Sequence, residues 1–130
     1  MQTVKASIGR DHYKTILQSD TNQITADEPK ELGGTDLGFS PDELMAASLA
    51  ACTAITVRMY ADRKAFPLEQ AEVEVTVHWD KQERRTLMRK TLRFTGALSE
   101  EQRERLKAIA DKCPTHVAML SPISIETELL

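Results

Sequence analysis

The feature that most limits the fold of this chain is a stretch of 14 residues, 44–57, that contains no charged side chain. Ser40, Pro41 and Glu43 stand directly before it. The serine suits a helix N-cap, the proline suits the first helical position, and the glutamate completes a capping box. The sequence therefore predicts a helix that ends near Lys64 and has no polar face. Such a helix must be buried on every side.

A chain of 130 residues has too little remaining sequence to surround a helix of this kind. We therefore expect a homodimer in which a second subunit covers the open face. The uncharged stretch is shorter than the roughly 20 apolar residues that cross a bilayer, and the first residues lack the apolar segment of a signal peptide. Acidic residues (20) outnumber basic ones (17), which disfavours nucleic-acid binding. These features predict a cytoplasmic protein that binds neither membrane nor nucleic acid.

Short segments on both sides of the helix alternate between apolar and polar residues, as strands do. The predicted strands are residues 4–8, 13–18, 22–25, 71–79, 84–95 and 123–129. Ser99 and Gln102 form a second capping box before an apolar stripe of Leu106, Ile109 and Ala110, and a short third helix is expected over 114–120. No linker or repeat divides the chain, so we expect a single domain, 1–130. The order βββ-α-ββ-α-α-β defines an α+β class with mainly antiparallel sheet.

Two cysteines are the main candidates for chemistry. Cys52 lies in the middle of the first helix, where a cysteine is commonly a small buried hydrophobic residue. Cys113 precedes Pro114, which disfavours helical backbone before it, so Cys113 can cap the next helical turn. Free backbone N–H groups there favour a thiolate. From the residues alone, each cysteine is either a reactive thiol or an inert structural one.

Metal binding is a third interpretation of the cysteines. Cys113 and His116 supply two ligand types, but a zinc site needs four ligands and no second paired motif exists. Cys52 and either His12 or His78 would have to complete it without supporting spacing. We therefore predict no metal ion and no cofactor, and we expect His116 to form local hydrogen bonds.

Three segments, 29–34 (PKELGG), 40–53 (SPDELMAASLAACT) and 112–116 (KCPTH), together resemble one protein family. It is the OsmC/Ohr family of thiol-dependent, peroxide-reducing proteins, and the resemblance extends over essentially the whole chain. The resemblance implies an intertwined homodimer in which antiparallel sheets wrap around long central helices. It also implies two active sites at the subunit interface.

The resemblance assigns roles to five residues. Cys52 would attack the peroxide and Cys113 would resolve the product. Arg10, in a Gly-Arg-Asp turn, would activate Cys52. In the organic-hydroperoxide branch of the family, a glutamate stands ten positions before the first cysteine, and this chain has Asp42 there. In other branches the glutamate stands nine positions before the cysteine, and this chain has Glu43 there. We favour Glu43 as the acid because it preserves the side-chain length.

Physical reasoning also calls for a cation near Cys52. This cysteine lies about three turns beyond the helix start, where the helix dipole has faded, and burial raises the pKa of a thiol. Arg10, oriented by Glu43 or Asp42, is the expected activator.

The predicted reaction is reduction of organic hydroperoxides, with hydrogen peroxide as a further candidate, through a Cys52–Cys113 disulfide. That disulfide would need reduction by an external dithiol, and the family resemblance implies one of the lipoyl type. The alternative is a non-catalytic or small-molecule-binding member of the family.

Overall fold

The computed structural model describes all residues, 1–130. Its helices and strands are, in chain order, β1 (Lys5–Ser7), β2 (Thr15–Gln18), β3 (Gln23–Ala26), α1 (Pro41–Arg63), β4 (Leu68–Asp80), β5 (Arg85–Gly96), α2 (Glu100–Ala110) and α3 (Pro114–Met119). Both sheets are antiparallel, so the predicted α+β class is confirmed. The chain divides into two compact units, Met1–Met45 and Ala46–Leu130, which are described in turn. The single domain expected for 1–130 stays a prediction.

In the first unit, β1, β2 and β3 form the antiparallel meander that the alternating segments predicted. The buried carboxylate of Asp27 holds the loop that follows. It accepts hydrogen bonds from the backbone N–H groups of Tyr13, Glu28, Thr35 and Leu37 and from the Thr35 hydroxyl. The Thr35 hydroxyl, helped by backbone donors and opposed by burial, holds the pKa of Asp27 well below its ordinary value. One ionised side chain thus organises the loop that leads into α1.

Helix α1 begins where the sequence predicted. The Ser40 hydroxyl accepts the Glu43 N–H at 3.2 Å, and the Glu43 carboxylate accepts the Ser40 N–H at 3.0 Å. The helix is 23 residues long, and its mean hydropathy of 1.4 over 18 residues meets the length and composition of a membrane span. The central helix of a soluble protein meets the same criterion, so this measure alone carries little weight.

One face of α1 packs within the chain and the opposite face does not. Leu49, Thr53 and Val57 are buried, whereas Ile55 and Met59 are 54% and 66% exposed. The helix has no polar stripe that would explain this exposed face. The single chain therefore leaves uncovered part of the apolar surface that the sequence predicted to be buried.

In the second unit, β4 and β5 form a long antiparallel hairpin in which Val73 pairs with Leu92. Apolar residues of the two strands point to one side, against a core cluster shared with α1 and α2. Helix α2 has the predicted capping box, and its stripe of Leu106, Ile109 and Ala110 is buried. The β4–β5 hairpin, α1 and α2 therefore pack around one small hydrophobic core.

The predicted last strand, 123–129, does not form within the chain. Residues 121–130 have no regular structure, and Ile123 and Ile125 are 72% and 84% exposed. Alternation supplies a strand with an apolar face, but a strand also needs a neighbour for its backbone hydrogen bonds. Neither sheet of this chain includes the tail.

Candidate active site

The two cysteines meet in the second unit. Cys52 lies on α1 and is partly exposed, whereas Cys113 lies between α2 and α3 and is fully buried. The Cys113 thiol is hydrogen-bonded to the Cys52 sulfur, and no disulfide joins them. Because a disulfide requires the two side chains to face each other at short range, this arrangement is suited to one.

Cys52 has an acidic thiol for a cysteine within a helix. Burial raises its pKa, but hydrogen bonds from the Thr115 hydroxyl, the Thr115 backbone N–H, Cys113 and Thr56 outweigh burial and lower the pKa to about 7. A thiolate is stabilised by such donors. The expected source of this effect was the cation Arg10, whereas neutral donors within the second unit already lower the pKa of Cys52. Thr115 was missed because a threonine at this position carries no distinctive sequence signal.

Cys113 occupies the N-cap of α3, as its place before Pro114 predicted. Its sulfur accepts the backbone N–H of His116 at 3.2 Å and the Thr53 hydroxyl at 3.7 Å. The sulfur therefore has two donors of its own besides its contact with Cys52. Cys113 is held in place from two helices, α1 and α3.

A buried lysine lies behind Cys113. Lys90 is on β5 with its side chain only 9% exposed. Its Nζ lies 2.8 Å from the Ala110 carbonyl, 3.0 Å from His116 Nδ1, 3.3 Å from the Asp111 carboxylate and 3.4 Å from Thr53 Oγ1. His116 Nδ1 therefore has a hydrogen-bonding partner, but that partner, Lys90, is distant in the sequence and not the local one expected. The chain has no group of three or more His, Cys, Asp or Glu side chains arranged for a metal ion.

Sequence reasoning missed Lys90, although a signal existed. The residue is in phase with Met88 and Leu92 on the core-facing side of β5, where a lysine is unexpected. A charged residue on an apolar strand face indicates a buried partner.

The other predicted site residues lie in the first unit. Arg10 is exposed in the bend between β1 and β2 and forms no ion pair with Asp42 or Glu43. Glu43 forms the capping box of α1, and Asp42 is exposed in the first turn of that helix. The expected Arg10–acid pair is thus not formed within one chain.

The fold and the cysteine pair define a class of small α+β proteins with two facing thiols on a long helix and a helix cap. The chain belongs to the OsmC-like protein family, whose model matches residues 34–128. No functionally curated protein is similar enough in sequence to count as a match.

Solved structures agree with the family. An OsmC-like protein from Mycoplasma pneumoniae is 23% identical, with a TM-score of 0.77 over 92% of this chain and 87% of that one. An organic hydroperoxide resistance protein OsmC from Legionella pneumophila is 28% identical, with a TM-score of 0.64 over 92% and 88%. The organic hydroperoxide resistance protein OhrB of Bacillus subtilis is 24% identical, with a TM-score of 0.61 over 91% and 89%. These chains share the fold over nearly their whole length.

Proposed function

We propose that this protein is a cysteine-based thiol peroxidase that reduces organic hydroperoxides. The observation that carries the proposal is the partly exposed Cys52, with a pKa lowered to about 7, beside the buried thiol of Cys113. A nucleophilic thiolate within reach of a second thiol is the arrangement that a two-cysteine reduction requires. Similarity to proteins named for organic hydroperoxide resistance supports this choice of substrate.

The reaction has three steps. The Cys52 thiolate attacks the terminal oxygen of the hydroperoxide, the O–O bond breaks, and the alkoxide leaves with the electron pair and takes up a proton as alcohol. Cys113, as a thiolate, then attacks the Cys52 sulfenic acid sulfur, which forms the disulfide and expels hydroxide, protonated to water. An external dithiol reduces the disulfide by exchange and becomes oxidised itself. We propose a lipoyl-type dithiol for this step.

Exposure supports the order of the two cysteines. Cys52 is partly exposed and can meet a substrate from solution, while Cys113 is fully buried. A buried thiol is suited to the second step, in which the electrophile is already attached to the protein.

Arg10, oriented by Glu43 or Asp42, is proposed to bind the peroxide oxygens in the assembled homodimer. A guanidinium stays charged and donates several hydrogen bonds, so it can stabilise charge on the leaving oxygen. Since the Thr115 donors already lower the pKa of Cys52, the main effect of Arg10 is expected on oxygen binding rather than on thiol ionisation.

The working protein is proposed to be a cytoplasmic homodimer. Exposed Ile55 and Met59 give α1 an apolar face without a partner in the chain. Burial of such a face against a second copy would remove it from water, which is the main driving force for association. The exposed apolar tail, 121–130, would find its strand neighbour in the same way.

The test combines turnover with a thiol count. With cumene hydroperoxide and dihydrolipoamide, the wild-type protein is expected to consume peroxide, and Cys52→Ser is expected to abolish consumption. One equivalent of peroxide without reductant should remove both thiols of each chain without crosslinks between chains. Cys113→Ser should lose one thiol and be labelled by dimedone. Turnover that survives in Cys52→Ser would refute the proposal.

A further inference from the structure

Lys90 is a charged side chain of the site, only 9% exposed, to which the reaction scheme gives no part. It extends from β5 and contacts atoms of α1, α3 and the C-terminal end of α2. An ammonium group removed from water needs nearly complete compensation by acceptors. The acceptors here converge on the segment that carries Cys113.

The direction of the hydrogen bonds follows from the chemistry of an ammonium group, which donates and never accepts. Four acceptors surround the three N–H groups of Lys90, namely the Ala110 carbonyl, His116 Nδ1, the Asp111 carboxylate and Thr53 Oγ1. In its contact with Lys90 Nζ at 3.4 Å, Thr53 Oγ1 can only accept. The single hydroxyl proton of Thr53 is then available to Cys113 Sγ, 3.7 Å away. Without Lys90, the Thr53 hydroxyl would be free to rotate and to accept from the Cys113 thiol instead of donating to its sulfur.

The same reasoning applies to His116. Its Nδ1, 3.0 Å from Lys90 Nζ, must accept, which assigns the ring proton to Nε2. The backbone N–H of His116 donates to Cys113 Sγ. Lys90 also holds the Ala110 carbonyl at 2.8 Å, at the end of α2 and just before Cys113. The Lys90 ammonium group therefore contacts the chain on both sides of Cys113, at Ala110 before it and at His116 after it.

We propose that Lys90 is a positioning residue for the second thiol. By orienting Thr53 and anchoring the segment around Cys113, it directs two donors onto the Cys113 sulfur as that sulfur loses its proton and attacks Cys52. This inference rests on the proposed function. It assigns Lys90 to disulfide formation and not to the attack of Cys52 on peroxide, because the contacts of Lys90 are with Thr53, Ala110 and His116 around Cys113 and none is with Cys52.

Diamide tests this role without any peroxide. It adds to one thiolate, and the second thiolate then attacks that sulfur, breaks the S–N bond and releases the hydrazine as the disulfide forms. Wild type, Lys90→Met, Lys90→Arg and Thr53→Val are compared, with Lys107→Met as the control for loss of an exposed lysine. The measurement is the rate of intramolecular disulfide formation, with far-UV circular dichroism as the folding check.

Lys90→Met and Thr53→Val are each expected to slow disulfide formation about tenfold, the effect of losing a hydrogen bond to a charged group. Lys90→Arg should recover much of the rate, because a guanidinium also donates without accepting, and Lys107→Met should match wild type. The double variant should be little slower than Lys90→Met alone, because Lys90→Met already removes the hydrogen bond that orients the Thr53 hydroxyl. Thr53→Val keeps the side-chain shape and all charges, so it remains informative if Lys90→Met does not fold.

A parallel experiment with hydroperoxide separates the oxidation of Cys52 from the formation of the disulfide. In Lys90→Met, one equivalent of cumene hydroperoxide should oxidise Cys52 at nearly the wild-type rate while dimedone-reactive sulfenic acid accumulates. Disulfide rates within twofold of wild type in both Lys90→Met and Thr53→Val would overturn the role of Lys90. Wild-type thiols that resist hydroperoxide would instead refute the proposed peroxidase, and the diamide rates would still decide the role of Lys90.

Discussion

The thiol of Cys113 donates a hydrogen bond to the sulfur of Cys52, although the two residues belong to different helical segments. This contact lowers the pKa of Cys52 before reaction and places the second thiol beside the sulfur that it would attack afterwards. This hydrogen bond therefore links the ionisation of the first cysteine to the proposed chemistry of the second.

The first prediction concerns the ionisation of Cys52. Its alkylation by iodoacetamide should follow a titration curve with a midpoint near pH 7, since its pKa is lowered to about 7. Thr115→Val removes the hydroxyl donor and should raise this pKa, so that the rate at pH 7 falls roughly threefold to fivefold as the thiolate fraction drops. Thr95→Val, on the exposed face of β5, is the matched control. A wild-type midpoint at the ordinary cysteine value of about 8.5 would contradict the prediction.

The second prediction concerns acid stability and Asp27. Because the folded pKa of Asp27 lies below its unfolded value, the stabilisation is fully present above the unfolded pKa of about 4. It is lost as the pH falls from there towards the folded pKa. Asp27→Asn should therefore lower the urea midpoint clearly at pH 7, because an amide NH₂ cannot accept from Thr35 and Leu37.

The control for Asp27 is the same comparison in acid. At pH 3 the difference in urea midpoint between wild type and Asp27→Asn should shrink, whereas Asp20→Asn, at an exposed turn, should change neither midpoint. An Asp27→Asn difference that stays constant from pH 7 to pH 3 would show that ionisation of this carboxyl does not stabilise the loop.

Local signals in the sequence predicted most of the fold. The capping boxes at Ser40 and Ser99 set the start of two helices, and period-two alternation identified the hairpin strands. These features depend on residues close together in the chain. The alternating tail, 121–130, is the exception, since a strand depends on a neighbour that the local sequence does not specify.

The site was only partly predictable for a related reason. Cysteines are rare and chemically distinctive, so Cys52 and Cys113 could be singled out from the sequence. Thr115 and Lys90 act through tertiary contacts, and their residue types are usually found exposed. The two cysteines could therefore be identified from the sequence, but not the side chains that hold and polarise their sulfurs.

The third prediction concerns the core. Leu106 on α2 has no exposed surface and packs in the cluster formed with α1 and the hairpin. Leu106→Ala should lower the free energy of unfolding by roughly 2 to 5 kcal/mol through lost burial and the cavity left behind. Leu106→Met nearly conserves the volume and should cost less than about 1.5 kcal/mol. Equal urea midpoints for the two variants would mean that the site collapses around the smaller side chain.

The fourth prediction concerns the exposed face of α1. If this face forms the proposed dimer interface, wild-type protein should sediment as a dimer at micromolar concentration. Ile55→Lys puts a charge on that face and should weaken the dimer about 100-fold or more, because an unpaired charge would be buried. Its monomer should keep the wild-type helix content, since Ile55 is exposed within the chain.

Thr76→Lys is the matched control for Ile55→Lys, because it adds the same charge to the exposed face of β4. It should leave sedimentation unchanged. An Ile55→Lys variant that sediments like wild type would place the interface elsewhere. Monomeric wild-type protein with full peroxidase turnover would mean that one chain suffices for catalysis, and that Arg10 needs no second copy to act.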